Sequence, residues 1–129
     1  MKVLLIEDER DVAEVYISWL EEFGYVVVHC ANGFSAGTEI LEQGEGRVFG
    51  LILTDIKMPG KTGTELIDFL DKIETQRSKT PTIFLSGFID EKLREKYKDL
   101  SHVSFLEKPA SKESFIQKIN EATKKEKPT

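Results

Sequence analysis

Short apolar runs alternate with longer segments of mixed polarity along the whole chain. The runs are rich in aliphatic and β-branched residues and are bounded by polar ones, as in strands buried on both faces of a parallel sheet. Five strands are predicted: Val3–Ile6, Tyr25–Cys30, Phe49–Thr54, Thr82–Ser86 and Val103–Leu106.

The segments between the runs have the periodicity of helices. In the first of them, apolar residues recur at spacings of three and four, which predicts one buried helical face. Gly24 follows that segment, where a glycine commonly ends a helix. Five helices are predicted, at about Asp11–Phe23, Phe34–Glu42, Gly63–Ile73, Asp90–Leu100 and Lys112–Thr123.

Strict alternation of strands and helices predicts the α/β class, with a parallel sheet covered on both faces. Right-handed crossovers leave few topologies for such a chain. We predict a flavodoxin-like three-layer sandwich with five helices and a five-stranded sheet in the order 2-1-3-4-5. This order places the first and third strands side by side, so that the residues after them become neighbours.

Composition and charge narrow the class of protein. A chain of 129 residues with 40% hydrophobic and 32% charged residues is typical of one soluble domain. The net charge of -5 argues against direct nucleic-acid binding. No run approaches the roughly 20 apolar residues of a membrane span, and no signal peptide is evident, so we expect no membrane insertion and a cytoplasmic location. The domain is predicted over residues 1–123, with 124–129 as a solvated tail or linker stub.

Four of the strands lead into residues that could hold a metal ion or a phosphoryl group. Glu7 and Asp8 follow the first strand, Asp55 the third, Ser86 closes the fourth, and Lys108 lies just past the fifth. The carboxyl ends of parallel strands share one rim, where ligands bind in such sheets. Clustered carboxylates repel one another unless a cation or a proton lies between them.

The chemistry of this rim favours Mg²⁺ and a phosphoryl ligand. Carboxylate oxygens suit a hard cation, whereas His29 and His102 are predicted to lie away from the rim, so no histidine metal site is expected. Lys108 adds a positive charge and Ser86 a hydroxyl group. Phosphoryl transfer needs little more than positioning and charge neutralisation, and a carboxylate can itself be the nucleophile.

The chain resembles the receiver domain of bacterial response regulators, close in size to the single-domain chemotaxis regulator. The resemblance extends over essentially the whole chain. It rests on residues in family order and at family-like spacing: Glu7-Asp8, Asp55-Ile-Lys-Met-Pro59 with Gly63, Ser86-Gly87, Phe105 and Lys108-Pro109.

The resemblance implies a role for each residue of the rim. Asp55 is the expected phospho-acceptor, which takes a phosphoryl group from a partner histidine kinase or phosphotransfer protein. Asp8, Asp55 and the backbone carbonyl of Lys57 are expected to bind Mg²⁺ directly, and Glu7 through a water molecule. Lys108 is expected to pair with the phosphoryl oxygens, and the Lys108–Pro109 peptide bond is expected to be cis.

The resemblance also implies a switch. The Ser86 hydroxyl group is expected to move toward the phosphoryl group while the Phe105 ring turns inward behind it. This movement would remodel the face built from the fourth helix, the fifth strand and the fifth helix, and so control a partner or output domain. The protein is then a signalling module that catalyses only its own phosphorylation and dephosphorylation.

Several alternatives compete with this interpretation. Glu7 and Asp8 could cap the first helix, and Asp55 alone could be a turn residue. An aspartate-nucleophile phosphatase would want a second aspartate where Lys57 stands, and a flavodoxin-like electron carrier would want hydroxyl groups after the first strand. A receiver that signals by binding alone is disfavoured because Asp8, Asp55 and Lys108 are all intact. The sequence Gly60-Lys61-Thr62 mimics a phosphate-binding loop but lacks its first glycine.

Overall fold

The computed structural model describes residues 2–32, 35, 38, 49–56, 80–87 and 91–124. Five parallel strands form one sheet in the order β2-β1-β3-β4-β5, which confirms the predicted fold class and strand order. The strands are β1 Lys2–Ile6, β2 Val26–Cys30, β3 Leu51–Asp55, β4 Thr82–Ser86 and β5 Val103–Glu107. Each lies within two residues of its predicted bounds at either end.

Three helices lie in the described part of the chain: α1 Arg10–Glu22, α2 Glu91–Tyr97 and α3 Lys112–Lys124. They correspond to the first, fourth and fifth predicted helices. The predicted helix at 63–73 lies outside the described residues, as does most of the one at 34–42. At the predicted start of the latter, the Ser35 amide donates to Asn32 Oδ1 at 2.9 Å. No helix of the described ranges is long and apolar enough to cross a membrane.

Local hydrogen bonds determine where these helices end. Gly24 has a φ of 88°, and the amides of Gly24 and Tyr25 donate to the carbonyls of Glu21 and Leu20. This is the glycine-based stop that the sequence predicts. The second described helix ends at Tyr97, three residues before the predicted end, because a turn follows in which the Leu100 amide bonds to the Tyr97 carbonyl at 3.0 Å.

Alternation along the strands divides the core between the two faces of the sheet. The first face packs against α1 and α3, where the rings of Tyr16 and Phe115 stack with centroids 4.7 Å apart and Trp19 packs beside them. The second face packs against α2 and contains Phe84, Tyr97 and the buried Cys30. The prediction that the first helix buries one apolar face is therefore confirmed.

The strand registers set which side chains meet at the carboxyl rim. Ile6 pairs with Thr54, so Glu7 and Asp55 follow the last pair of the β1–β3 ladder side by side. Asp55 lies two residues after Leu53 and shares the face of α1 and α3, whereas Ser86 lies two residues after Phe84 and shares the face of α2. Asp55 and Ser86 therefore start from opposite faces of the sheet but at the same carboxyl rim.

Candidate functional site

Three carboxylates converge at the carboxyl rim. Glu7, Asp8 and Asp55 each offer an oxygen atom, and these atoms lie within 4.8 Å of one another. Their exposure differs: Glu7 is fully buried, Asp55 is 17% exposed at its side chain, and Asp8 is exposed. The prediction that these three residues are neighbours at the rim is confirmed.

Lys108 joins the two less exposed acids. Its Nζ lies 2.6 Å from Glu7 Oε1 and 3.1 Å from Asp55 Oδ2. The Lys108 amide donates to the Ser86 carbonyl at 2.7 Å, which ties the loop after β5 to the end of β4. The Lys108–Pro109 peptide bond is cis, as the resemblance to receiver domains implies.

Each hydrogen-bonding group of Glu7 has a partner. Besides the contact with Lys108, its Oε2 accepts from the Glu9 amide at 3.2 Å, and its own amide donates to the Cys30 carbonyl at 3.0 Å. The Glu7 carbonyl accepts from Nε2 of His29 at 2.9 Å. A buried carboxylate with this many partners is held in one orientation.

The contact with His29 corrects the prediction that both histidines lie away from the rim. His29 is on β2, one residue before the Cys30–Ile6 pair, and its ring reaches the backbone of Glu7. The register of β1 against β2 was the signal that could have found it, because it places residue 29 beside the end of β1. His102 lies in the turn before β5, at the other end of the sheet, as predicted.

Asp8 does not cap α1. Glu9 occupies the N-cap position, and the helix start has no side-chain cap hydrogen bond. The Ala13 amide instead donates to the Glu9 backbone carbonyl at 3.0 Å. Asp8 is therefore exposed beside two other acids with no role in the start of the helix, which makes helix capping the weaker explanation for the Glu7-Asp8 pair.

The donor set fits a hard divalent cation. Three carboxylates face one ammonium group within this cluster, which leaves negative charge that a cation would neutralise. All three side-chain donors are oxygens, as Mg²⁺ prefers, and the exposure of Asp8 leaves room for the water molecules that Mg²⁺ retains.

The pKa values of the central pair reflect burial and mutual attraction. Burial raises the pKa of Glu7, and the hydrogen bonds from Lys108 and the Glu9 amide offset only part of this rise. Burial alone would lower the pKa of Lys108, but Glu7 and Asp55 together outweigh it, and the pKa is raised. The lysine therefore remains a fixed positive charge in the site at neutral pH.

The two predicted switch residues lie on the face of α2. Phe84 and Phe105 are register partners on β4 and β5, and their rings stack with centroids 5.6 Å apart. Phe105 is half-buried, and the guanidinium carbon of Arg94 lies 5.5 Å from its ring centroid. Ser86 lies two residues along β4 from Phe84. Lys57, the remaining predicted ligand, lies outside the described residues.

Comparison with known proteins assigns the family. The family model of the response regulator receiver domain matches residues 3–120, and the chain belongs to this family. The chain is 36% identical over 87 residues to the response regulator receiver protein CpdR of Brucella abortus, a match that covers 67% of each protein. It is 29% identical over 119 residues to the response regulator RR06 of Streptococcus pneumoniae.

The curated relatives differ in length from this chain. The match to RR06 covers 92% of this chain but 51% of RR06, and the match to FixJ of Bradyrhizobium diazoefficiens covers 98% and 58%. The chain thus spans little more than half the length of these two relatives. Their shared part is the receiver domain of a two-component system, and this assignment excludes the phosphatase and the electron carrier considered above.

Solved structures support the same fold. Chemotaxis protein CheY4 of Vibrio cholerae superposes with a TM-score of 0.81 at 23% identity, over 94% of this chain and 97% of that one. The receiver domain of the hybrid histidine kinase CckA superposes with a TM-score of 0.74 at 28% identity, over 95% and 99%.

Proposed function

We propose that this chain is a phospho-acceptor in which Asp55 takes a phosphoryl group from a histidine kinase, a phosphotransfer protein or a small phosphodonor. The observation that carries the proposal is the position of Lys108, whose ammonium group contacts both Glu7 and Asp55 beside the exposed Asp8. A cation held against a partly exposed carboxylate is what transfer of a phosphoryl group to that carboxylate requires.

The transfer step follows from the groups present. A carboxylate oxygen of Asp55 attacks the phosphorus atom, the bond from phosphorus to the donor nitrogen breaks, and the leaving imidazole keeps the electron pair. The product is an acyl phosphate on Asp55. Lys108, whose ammonium group Glu7 holds at 2.6 Å, would remain beside the new phosphoryl oxygens.

The acidic cluster is where Mg²⁺ would bind. Asp8 and Asp55 would be direct ligands together with the Lys57 carbonyl, and Glu7 would act through a water molecule. Bound Mg²⁺ would neutralise charge on the phosphoryl oxygens. Glu7 suits the indirect role because Lys108 and the Glu9 amide already occupy its two carboxylate oxygens.

Ser86 and Phe105 form the proposed switch. A phosphoryl group on Asp55 would attract the Ser86 hydroxyl group. Phe84 lies two residues before Ser86 on the same face of β4, and its ring stacks on Phe105 of β5. A shift of Ser86 would therefore reach Phe105 through a buried aromatic contact. The face of α2, β5 and α3 would then change its surface toward a partner or an output domain.

The proposed module acts by binding rather than by turnover of a diffusing metabolite. Its upstream partner would be a histidine kinase or a phosphotransfer protein, and phosphoryl transfer would take place in the cytoplasm. The module would make no direct contact with nucleic acid. The proposed domain extends over residues 1–123, with 124–129 as a tail or linker.

Intact mass spectrometry tests the proposal. The protein is incubated with acetyl phosphate and Mg²⁺, beside Asp55→Asn, the matched surface variant Asp11→Asn, and a sample with chelator. We expect one phosphoryl group on the parent and on Asp11→Asn, and none on Asp55→Asn or with chelator. A phosphoryl group that remains on Asp55→Asn would rule out Asp55 as the acceptor.

If the parent gains no mass, the same assay is repeated with a purified histidine kinase and ATP. Transfer from the kinase would support Asp55 as the phospho-acceptor and would show that acetyl phosphate is not a donor for this protein. Failure with both donors, in a protein that also shows no Mg²⁺ binding, would favour a module that signals by binding alone.

A further inference from the structure

His29 contacts the backbone that joins the two neighbouring acids. Its Nε2 lies 2.9 Å from the Glu7 carbonyl, which belongs to the peptide unit between Glu7 and Asp8. A carbonyl oxygen can only accept, so Nε2 carries the hydrogen in this arrangement. We propose that His29 is a positioning residue, which fixes the orientation of the Glu7–Asp8 peptide and thereby the direction in which Asp8 faces the metal site.

The sheet itself stops short of this peptide. The Glu7 amide, just past the end of β1, donates a hydrogen bond to the Cys30 carbonyl at 3.0 Å. Cys30 is the last residue of β2, so the strand offers no backbone donor beyond it. The next acceptor along the chain is the Glu7 carbonyl, which takes its hydrogen bond from a side chain instead. Glu7 is fully buried, so a carbonyl left without a donor here would be costly.

The same peptide bears directly on Asp8. Rotation of the peptide plane between Glu7 and Asp8 would swing the Asp8 side chain, whereas the Glu7 carboxylate would remain fixed by Lys108 and the Glu9 amide. Asp8 is exposed and sits outside the network of hydrogen bonds that holds Glu7. The orientation of the most exposed ligand therefore depends on the bond from His29. Outer residues that orient metal ligands commonly change metal affinity when they are replaced.

The inference rests on the proposed Mg²⁺ site and is tested by metal binding rather than by phosphorylation. Isothermal titration of metal-free protein with MgCl₂ compares the parent with His29→Leu, which lacks a donor, and His29→Gln, whose amide nitrogen reaches as far as Nε2. The matched control is His102→Leu, which removes the other histidine at the opposite end of the sheet.

We expect His29→Leu to weaken Mg²⁺ binding about tenfold, the lower end of what loss of an orienting residue costs. The affinity of His29→Gln should stay within about twofold of the parent, because the glutamine amide can still donate to the Glu7 carbonyl. The affinity of His102→Leu should be unchanged, because His102 does not contact that carbonyl. If His29→Leu does not fold, His29→Asn replaces it, because its shorter amide falls short of the carbonyl while its polarity matches that of glutamine.

A second readout follows the hydrogen bond without any metal. The ¹⁵N shift of the Asp8 amide reports on the carbonyl of the same peptide unit, and it should change in His29→Leu but much less in His29→Gln. Urea unfolding with chelator present checks that the variants are equally folded.

The outcomes separate the two proposals. If the parent binds Mg²⁺ and His29→Leu binds it equally well, His29 positions nothing and the inference is overturned while the proposed function stands. If His29→Gln is as weak as His29→Leu, the donor is not what matters, and the inference is again overturned. If the parent binds no Mg²⁺, the proposed metal site fails and the inference falls with it.

Discussion

The acidic cluster of Glu7, Asp8 and Asp55 at the carboxyl rim and the face formed by α2 and β5 differ in how firmly their side chains are fixed. Glu7 is fully buried and each of its hydrogen-bonding groups has a partner, from its amide to both carboxylate oxygens. Phe105, in contrast, lies on an edge strand that is half-buried at four positions and exposed at the fifth, and an exposed arginine covers its ring.

This difference matches the two tasks that we propose. Groups that bind and react work best when their geometry is fixed before the reaction. A group that reports the reaction must have two accessible positions, and such groups come from the less stable parts of a fold. The buried Phe84 is the register partner of Phe105 and lies two residues before Ser86 on β4.

The largest expected effect compares the two stacked rings. Phe84 is fully buried, so Phe84→Ala should lower the free energy of unfolding by about 3–5 kcal/mol. Phe105→Ala should cost about 1–2 kcal/mol, because part of its ring is already in water. Urea unfolding measures both. Equal losses would mean that the face of α2 and β5 is packed as firmly as the core.

The second comparison removes the cation of the rim. Lys108→Met leaves the buried Glu7 carboxylate without its partner, and we expect a loss of about 2–4 kcal/mol at pH 7 by urea unfolding, somewhat reduced because Lys108 is 20% exposed. The matched variant is Lys112→Met. Lys112 pairs with Glu22 on the surface, with side chains 40% and 56% exposed, and its loss should cost less than about 1 kcal/mol. A similar cost for both lysines would show that the rim is not held more tightly than the surface.

Acid should reduce the penalty of the Lys108 variant. Burial raises the pKa of Glu7, so the folded protein holds that proton more tightly than the unfolded chain does. The resulting stabilisation is greatest below the unfolded pKa and is lost as the pH rises through the folded pKa. Lys108 opposes the rise in the pKa of Glu7. Removal of Lys108 therefore raises this pKa further, and the fall in stability with increasing pH extends to higher pH.

We therefore expect the stability difference between Lys108→Met and the parent to shrink when the pH is lowered from about 7 to about 5. Urea unfolding of both proteins at the two pH values measures it, with Lys112→Met as the control whose difference should stay constant. A pH-independent difference for Lys108→Met would mean that the buried charge of Glu7 is not the cause.

The smallest expected effect concerns the cover on Phe105. A double-mutant cycle with Arg94→Gln and Phe105→Leu should give a coupling of about 0.5–1 kcal/mol, the usual size for an exposed cation–π contact. Lys96→Gln, which removes the cation beside the Tyr97 ring instead, serves as the control and should show little coupling with Phe105. A coupling energy well above this range would mean that Arg94 holds the Phe105 ring in one position.

Much of the fold was predictable because it depends on patterns that a single sequence displays. The buried runs at Val3–Ile6 and Ile83–Leu85 are apolar throughout and bounded by polar residues, so strand identity and order followed from alternation and handedness. The convergence of Glu7, Asp8 and Asp55 then followed from the position of each at a strand end.

The details that escaped prediction depend on register and on side-chain reach. The contact of His29 requires knowing that residue 29 lies beside the end of β1, which periodicity alone does not give. The early end of α2 depends on a single turn at Leu100. The cover of Arg94 over Phe105 joins a helix to a strand and leaves no trace in either segment alone.

The ion pair at the centre of the rim also has a consequence for how the protein is made. Glu7 and Lys108 are 101 positions apart in sequence, and all three acids precede the lysine. A chain growing from its amino terminus therefore exposes the carboxylates long before their ammonium partner has been synthesised, and β5 must join the edge of the sheet before the two can meet. We therefore expect a nascent chain to lack the complete cluster of three acids and one lysine until β5 has joined the sheet.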